Sequence, residues 1–103
     1  MTTYISGPIT GYPELNKPAF DAAQARLEAN GLKVCNPHCV PAPQTNLQGK
    51  ALWQYYMREC VRLMLDCDQL YMLANWQNSQ GAVWEKRIAD MLGIPVVYEH
   101  VPD

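Results

Sequence analysis

The chain has 103 residues, of which 49% are hydrophobic, and a formal charge of −2 with only eight basic residues. This length leaves room for one hydrophobic core, so we expect a single domain that spans residues 1–103. The basic residues are spread along the chain rather than clustered, which argues against DNA or RNA as a partner.

The N-terminal segment lacks both the basic region and the long apolar region of a secretory signal. No stretch of the sequence approaches the roughly 18 uninterrupted apolar residues that a membrane span requires. Four cysteines in such a chain are typical of a reduced protein that buries them as small hydrophobic residues. We therefore expect a cytoplasmic protein with no membrane partner.

A zinc site is the alternative explanation for part of the cysteine content. Cys35, His38 and Cys39 lie close together in the sequence, and His100 could supply a fourth ligand. The spacing matches no paired CxxC framework, and the prolines around these residues are typical of a stiff loop. We favour the structural loop, and we expect neither a metal nor a cofactor.

The first half of the chain alternates strand and helix signals. Thr2–Ser6 is a β-prone run that ends at a Gly-Pro breaker. A helical stripe begins at Pro18 and ends at the C-terminal signal Asn30-Gly31. A second short strand is predicted over Leu32–Cys35.

The second half repeats this alternation. A loop over Pro41–Gly49 precedes a helix over Ala51–Leu65, where apolar residues recur at three- and four-residue steps. A short apolar run predicts a buried strand over Gln69–Leu73.

A third helix is predicted between an N-cap at Ser79 and a stop at Gly93. The apolar residues expected on its inner face are Val83, Ile88, Ala89 and Leu92. A fourth strand is predicted over Ile94–Tyr98.

The resulting order is β-α-β-α-β-α-β. Strands that alternate with helices imply parallel pairing and right-handed crossovers, and apolar strands fit a sheet covered on both faces. We expect a three-layer, doubly wound α/β fold of the flavodoxin-like, Rossmannoid kind, with about four parallel strands in the order 2-1-3-4. Such sheets bind ligands at the carboxyl ends of their strands.

The first candidate binding segment follows the first strand and reads Ser6-Gly7-Pro8-Ile9-Thr10-Gly11. Glycines permit close approach of the backbone to a ligand, and unpaired amides can hold an anion or a sugar hydroxyl. A tight turn without a ligand explains the same residues equally well.

The second candidate segment follows the third strand and contains Asn75 and Trp76. An indole ring in a polar loop can stack on a nucleobase. Capping of the core and a subunit contact are the alternative roles of Trp76.

The start of the third helix supplies Ser79, Gly81 and Glu85, with the spacing S-x-G-x-x-x-E. A carboxylate in the first two turns of a helix is favoured by the helix dipole, so a stabilising surface glutamate is the alternative for Glu85. Ser79 likewise serves as a cap under that alternative.

Three further acidic residues need an explanation. Glu59 in the second helix is the best-placed second carboxyl group at the carboxyl edge, although an exposed helical charge explains it as well. Asp68 precedes the third strand and so belongs at the opposite end of the sheet. We interpret Asp66 and Asp68 as structural.

Three segments together resemble the nucleoside 2-deoxyribosyltransferase superfamily. They are Tyr4–Gly11, Cys67-Asp68 and Ser79-x-Gly81-Ala82-x-x-Glu85. The resemblance spans nearly the whole chain and is closest to a small branch common in phages and bacteria, recognisable by the stretch Trp76–Glu85. The 2′-deoxynucleoside 5′-monophosphate N-glycosidase is a second relative.

The resemblance implies that Glu85 is a nucleophile that attacks the anomeric carbon of a deoxyribosyl group and forms a glycosyl ester. It also implies that Tyr4 holds this carboxylate, and that Ser79 and the Ser6–Gly11 amides contact the sugar or its 5′-phosphate. Capture of the ester by a second base gives transfer, and capture by water gives hydrolysis.

The same resemblance implies a nucleoside or nucleotide as the small-molecule partner, and a homo-oligomer in which a neighbour completes the pocket. The aromatic residues Trp53, Tyr55 and Trp84 are candidate contacts between subunits.

The sequence departs from the family pattern in two places. Cys60 stands eight positions before Asp68, where relatives usually carry an aspartate that handles the leaving base, and Glu59 lies beside it. Pro8 and Thr10 stand where the monophosphate hydrolase has a serine and an arginine. These departures leave two alternatives open: a non-catalytic nucleotide-binding module, and a phage-encoded interaction protein with a degenerate site.

Overall fold

The structure is a computed structural model and describes residues 1–99. Four strands form one sheet: β1 (Thr2–Ser6), β2 (Lys33–Cys35), β3 (Gln69–Met72) and β4 (Val96–Tyr98). Three helices connect them: α1 (Lys17–Ala29), α2 (Gly49–Leu65) and α3 (Gln80–Leu92). Short 3-10 helices, which the sequence patterns did not predict, cover Pro13–Asn16, Pro37–Cys39 and Trp76–Asn78.

All strand pairs are parallel, and the strand order is β2-β1-β3-β4. Tyr4 lies at the centre of the sheet, where it is in register with Cys35 of β2 and Leu70 of β3. Leu70 is in turn in register with Val96 of β4. The predicted fold class and strand order are therefore confirmed.

Helices cover both faces of the sheet. Helix α1 packs Phe20 and Ala23 against one face, where they meet Ile5 and Leu73. The opposite face carries α2 and α3, and its core consists of Tyr4, Cys60, Met64, Cys67, Leu70, Met72, Ala82 and Ala89. Since side chains alternate along a strand, Tyr4 and Ser6 both point to the α2–α3 face.

The ends of α3 follow the predicted capping chemistry. The Ser79 hydroxyl accepts a hydrogen bond from the Ala82 amide at 3.2 Å, and Gly93 ends the helix in the left-handed region at φ 74°. The inner face differs from the apolar set expected from periodicity, because Glu85 lies on it while Leu92 is 59% exposed.

Candidate active site

Glu85 lies in a buried cluster with two residues of β1. Its Oε2 accepts a hydrogen bond from the Tyr4 hydroxyl at 2.7 Å, and its Oε1 accepts one from the Ser6 hydroxyl at 2.6 Å. Only 5% of Glu85 is exposed. Two residues separated by one position on a strand thus hold both oxygens of a carboxylate supplied by the second turn of α3.

Burial dominates the electrostatics of this cluster. It raises the pKa of Glu85 to about 7, although the hydrogen bonds from Ser6 and Tyr4 act in the opposite direction. Burial, followed by the charge of Glu85, also raises the pKa of Tyr4 well above its ordinary value. Tyr4 therefore remains a protonated donor, while Glu85 changes its charge near neutral pH.

Helix α2 contributes Cys60 to this region. The side chain packs in the same core cluster as Tyr4 and is 8% exposed. Burial and then the charge of Glu85 raise the pKa of the Cys60 thiol to about 11. The group beside Tyr4 and Glu85 is therefore a neutral thiol at physiological pH.

Glu59, expected near the same site, has different surroundings. Successive residues on a helix point about 100° apart, so Glu59 and Cys60 cannot both face Glu85. Glu59 accepts a hydrogen bond from Arg62 at 2.7 Å and lines a surface hollow. The other lining residues are Cys39, Val40, Pro41, Arg62, Leu63 and Asp66, and neither Tyr4 nor Glu85 is among them.

The Ser6–Gly11 loop begins with a close packing contact. A Cβ at Gly7 would lie 2.8 Å from Cβ of Leu73, so only glycine permits this approach. The Leu73 amide also donates to the Ser6 carbonyl at 2.8 Å. Pro8 is fully buried, and its carbonyl accepts a hydrogen bond from Asn16 at 2.8 Å. Gly7 and Pro8 thus fix the loop against the fold.

The rest of the loop presents mainly its backbone. The Ile9 side chain packs into the core beneath α1, and Gly11 adopts φ 85°. Within residues 1–99, the amides of Ile9, Thr10 and Gly11 donate to no protein acceptor. Three consecutive amides after β1 therefore have no acceptor among the described residues.

The connection between β3 and α3 places Trp76 partly in the core. The ring packs against the α2–α3 cluster, with Tyr98 at 6.0 Å between ring centroids and Lys86 Nζ 5.9 Å from the ring centroid. The preceding Asn75 is exposed and left-handed, at φ 68°. This arrangement favours the core-capping role of Trp76 over the role of stacking on a nucleobase.

Ser79 and Gly81 also have structural roles. The Ser79 hydroxyl caps α3, and a Cβ at Gly81 would lie 3.2 Å from Sδ of Met57. Gly81 therefore lets α3 approach α2 closely. These two contacts set where α3 begins and consequently where Glu85 lies.

The remaining candidates lie outside this cluster. Asp68 accepts a hydrogen bond from the Thr2 amide at 2.8 Å, a structural contact at the amino end of β1, as expected. Residues 1–99 contain no group of three or more His, Cys, Asp or Glu side chains that could hold a metal ion. The His38 ring packs edge-on against Phe20, at 4.8 Å between centroids, and His100 lies outside the described residues.

Within the part of the chain that the structure describes, no helix combines the length and the apolar character that a bilayer span requires.

Residues 1–98 match the model of a protein family described as a domain of unknown function, DUF4406. The chain belongs to this family. No curated protein sequence matches it.

Two solved structures resemble the fold. The 2-deoxyribosyltransferase from the psychrotolerant bacterium Bacillus psychrosaccharolyticus superposes with a TM-score of 0.75 at 17% identity, over 99% of this chain and 77% of the other. A conserved protein from Enterococcus faecalis V583 superposes with a TM-score of 0.63 at 22% identity, over 95% of this chain and 62% of the other. These likenesses cover nearly all of this chain and agree with its α/β fold.

The sequence patterns missed the direct contact between Ser6 and Glu85. Ser6 was expected to meet a sugar or phosphate through the loop, whereas its hydroxyl donates to the carboxylate. The available signal was the i, i+2 spacing of Tyr4 and Ser6, which places both on one face of β1.

Proposed function

We propose that the chain cleaves or transfers the N-glycosidic bond of a deoxynucleoside or its 5′-monophosphate, with Glu85 as the nucleophile. The observation that supports this is the buried carboxylate of Glu85, held by Tyr4 at 2.7 Å and Ser6 at 2.6 Å. Its place at the carboxyl edge of a parallel sheet is where such folds bind ligands. The fold likeness to a 2-deoxyribosyltransferase is in keeping with this chemistry.

The proposed reaction has two displacements. A Glu85 oxygen forms a bond to the anomeric carbon while the carbon–nitrogen bond breaks, and the base leaves with the bonding electrons and takes a proton from water. Water or a second base then attacks the same carbon and releases the carboxylate. Each Glu85 oxygen accepts one hydrogen bond from the protein, which leaves a further lone pair for the attack.

Tyr4 and Ser6 have defined tasks in this scheme. Their hydrogen bonds fix the direction of the carboxylate and favour its ionised form, whereas burial favours the protonated form. The balance leaves a substantial ionised fraction near neutral pH. The free amides of Ile9, Thr10 and Gly11 would bind the sugar hydroxyl or the 5′-phosphate.

A non-catalytic nucleotide-binding module is the second candidate. Two observations favour it: the group beside Tyr4 and Glu85 on α2 is the neutral thiol of Cys60, and Glu85 is only 5% exposed. A binding module needs the crevice but not a nucleophile that a sugar carbon can reach.

Incubation with the four deoxynucleosides and their monophosphates, followed by chromatography of the free base, distinguishes the candidates. Glu85→Gln is expected to abolish base release, and Glu28→Gln, at an exposed glutamate of α1, is the matched control. Glu59→Gln is expected to keep most of the release, because Glu59 pairs with Arg62 in a separate hollow. Tight binding without base release by the wild-type protein would support the binding module.

A further inference from the structure

The carboxylate of Glu99 joins three parts of the fold. Its Oε1 accepts a hydrogen bond from the Ala74 amide at 3.0 Å, and its Oε2 accepts one from Arg26 of α1 at 2.6 Å. The Glu99 amide donates to the Met72 carbonyl at 2.8 Å. One residue directly after β4 thus ties the carboxyl ends of β3 and β4 to a helix on the α1 side of the sheet.

Ala74 is the second residue of the connection that leads from β3 to α3. Hydrogen bonds between backbone groups continue along this connection, from the Trp76 amide to the Leu73 carbonyl at 3.3 Å and from the Ser79 amide to the Trp76 carbonyl at 3.0 Å. Ser79 then caps α3, and Glu85 follows within two turns. The stretch from Ala74 to Glu85 is therefore short, and backbone hydrogen bonds at Trp76 and Ser79 brace its first part.

The opposite side of the cluster is fixed independently by β1. Tyr4 and Ser6 are held by the sheet, so their bonds to Glu85 depend on where α3 lies relative to β1. Bonds of 2.6 and 2.7 Å tolerate little displacement. Because a helix moves nearly as a rigid body, a shift at its first residue is transmitted to Glu85.

We propose that Glu99 is a positioning residue for Glu85: by holding Ala74, it fixes the start of α3 at the distance that lets Tyr4 and Ser6 bind the carboxylate. Its effect on turnover rests on the proposed function, whereas its effect on the position of Glu85 does not. The side chain of Glu99 is 22% exposed and has both oxygens engaged, so it contacts the connection and α1 rather than the cluster of Tyr4, Ser6 and Glu85.

The test compares Glu99→Ala, Glu99→Gln and Arg26→Gln with Asp90→Asn. The control removes an exposed i, i+4 ion pair with Lys86 within α3 and leaves the connection untouched. Carbon NMR follows the titration of Glu85, and amide hydrogen exchange follows Ala74 and the residues after it. Kinetic constants for base release are measured on the same proteins.

Glu99→Ala is expected to speed exchange at Ala74 and to raise the pKa of Glu85 above about 7, because a displaced carboxyl group loses the Tyr4 and Ser6 donors while it remains buried. It should lower kcat by on the order of 10- to 100-fold with a smaller change in KM. Glu99→Gln keeps an acceptor for Ala74, so its amide exchange, its Glu85 titration and its kcat should all lie close to those of the wild-type protein. Arg26→Gln, which leaves Ala74 bonded, should produce a smaller shift in the same direction even if Glu99→Ala does not fold.

The titration of Glu85 and the release of base separate failure of the positioning role from failure of the proposed reaction. If Glu85 titrates in the Glu99 and Arg26 variants as it does in Asp90→Asn, the positioning role is overturned. If the wild-type protein releases no base but the Glu85 titration still moves in these variants, the positioning role stands and the proposed reaction fails.

Discussion

The Tyr4 hydroxyl donates a hydrogen bond to Oε2 of Glu85 at 2.7 Å, across 81 positions of the sequence. This bond joins β1, an inner strand of the sheet, to the inner face of α3. Both partners are buried, and the donor has its pKa raised well above the ordinary value, so the phenol keeps its proton while the carboxylate titrates. The Tyr4 hydrogen bond therefore favours the ionised form of the proposed nucleophile against the effect of burial.

Tyr4→Phe is expected to raise the pKa of Glu85 above about 7, because the carboxylate loses a donor while burial remains. A hydrogen bond to a charged group is worth about 1.5–3 kcal/mol, which corresponds to about one pKa unit or more. Base release at pH 7 should fall about fivefold or more. Carbon NMR of Glu85 and the pH profile of base release measure both effects.

Tyr55→Phe is the matched control for that experiment. Its hydroxyl donates to the Pro41 carbonyl at 2.9 Å, away from Glu85. An unchanged or lowered pKa of Glu85 in Tyr4→Phe would contradict the role assigned to the phenol.

Glu85 also predicts how stability depends on pH. Its pKa is about 7 in the folded protein and close to the ordinary 4.5 in the unfolded chain. Between these values the unfolded chain loses a proton that the folded protein retains, so the folded state is progressively destabilised as the pH rises from about 4.5 to 7. The loss is about 3 kcal/mol and stays constant at higher pH.

Glu85→Gln removes this titration. The difference in the free energy of unfolding between the variant and the wild-type protein should therefore change by about 3 kcal/mol in favour of the variant as the pH rises from 4.5 to 8. Urea unfolding of both proteins across this range measures the difference. Parallel stability curves for the two proteins would show that the pKa of Glu85 is not raised by folding.

Gly7→Ala tests the contact that holds the candidate binding loop. The new methyl group would meet Leu73 at 2.8 Å and should cost about 1–3 kcal/mol of the free energy of unfolding. Gly11→Ala has no neighbour within 4 Å of its Cβ, and should cost only about 1 kcal/mol for the left-handed backbone. Denaturant unfolding of each variant measures these costs.

A double-mutant cycle with Leu73→Gly, which removes the Cβ that the new methyl group would meet, separates the steric clash from the backbone cost. The cost of Gly7→Ala should shrink when Leu73 is truncated, whereas that of Gly11→Ala should not change. Equal coupling of both glycines to Leu73 would contradict the steric explanation.

Self-association through the α2–α3 side is a further prediction. Trp53 and Trp84 are 37% and 46% exposed, and their helices cover the same face of the sheet. Large exposed aromatic side chains commonly mark contacts between subunits. Light scattering should show an oligomer that Trp84→Ser weakens, whereas Leu15→Ser, at an exposed residue before α1, should leave it unchanged. A monomer at high protein concentration would contradict this expectation.

Tyr55 was grouped with these tryptophans from sequence, but the structure places it differently. Its side chain is half-buried, and its hydroxyl is engaged with Pro41. The predicted subunit contact is therefore limited to the two tryptophans.

Local signals in the sequence were sufficient for the order of the elements. The N-cap at Ser79 and the stop at Gly93 are chemical signals that act within one turn, and both bounds of α3 agree with them. The left-handed turn at Glu14, Leu15 and Asn16 had no such signal, because none of these residues is a glycine. Tertiary contacts, such as the bond from Asn16 to Pro8, hold this turn.

The sequence predicted those parts of the candidate site that follow from the strand order and from the alternation of side chains along a strand. Tyr4 and Ser6 share a face of β1 by strand alternation, and the carboxyl edge follows from the parallel sheet. Hydrophobic periodicity places only apolar residues inside, so it could not show that Glu85 is buried. The apolar residues that recur at three- and four-residue steps along α2 include Cys60, so the helical periodicity already favoured Cys60 over Glu59 on the buried face.

Direct trapping of the glycosyl ester tests the central proposal most closely. The protein is incubated with a deoxynucleoside fluorinated at C2′, because the fluorine destabilises the positive charge that develops on the sugar and slows breakdown of the ester. Mass spectrometry of the digested protein should find one fluorodeoxyribosyl group on the peptide that contains Glu85, and none in Glu85→Gln. Free base released without any such adduct, or an adduct on another residue, would contradict the assignment of Glu85 as the nucleophile.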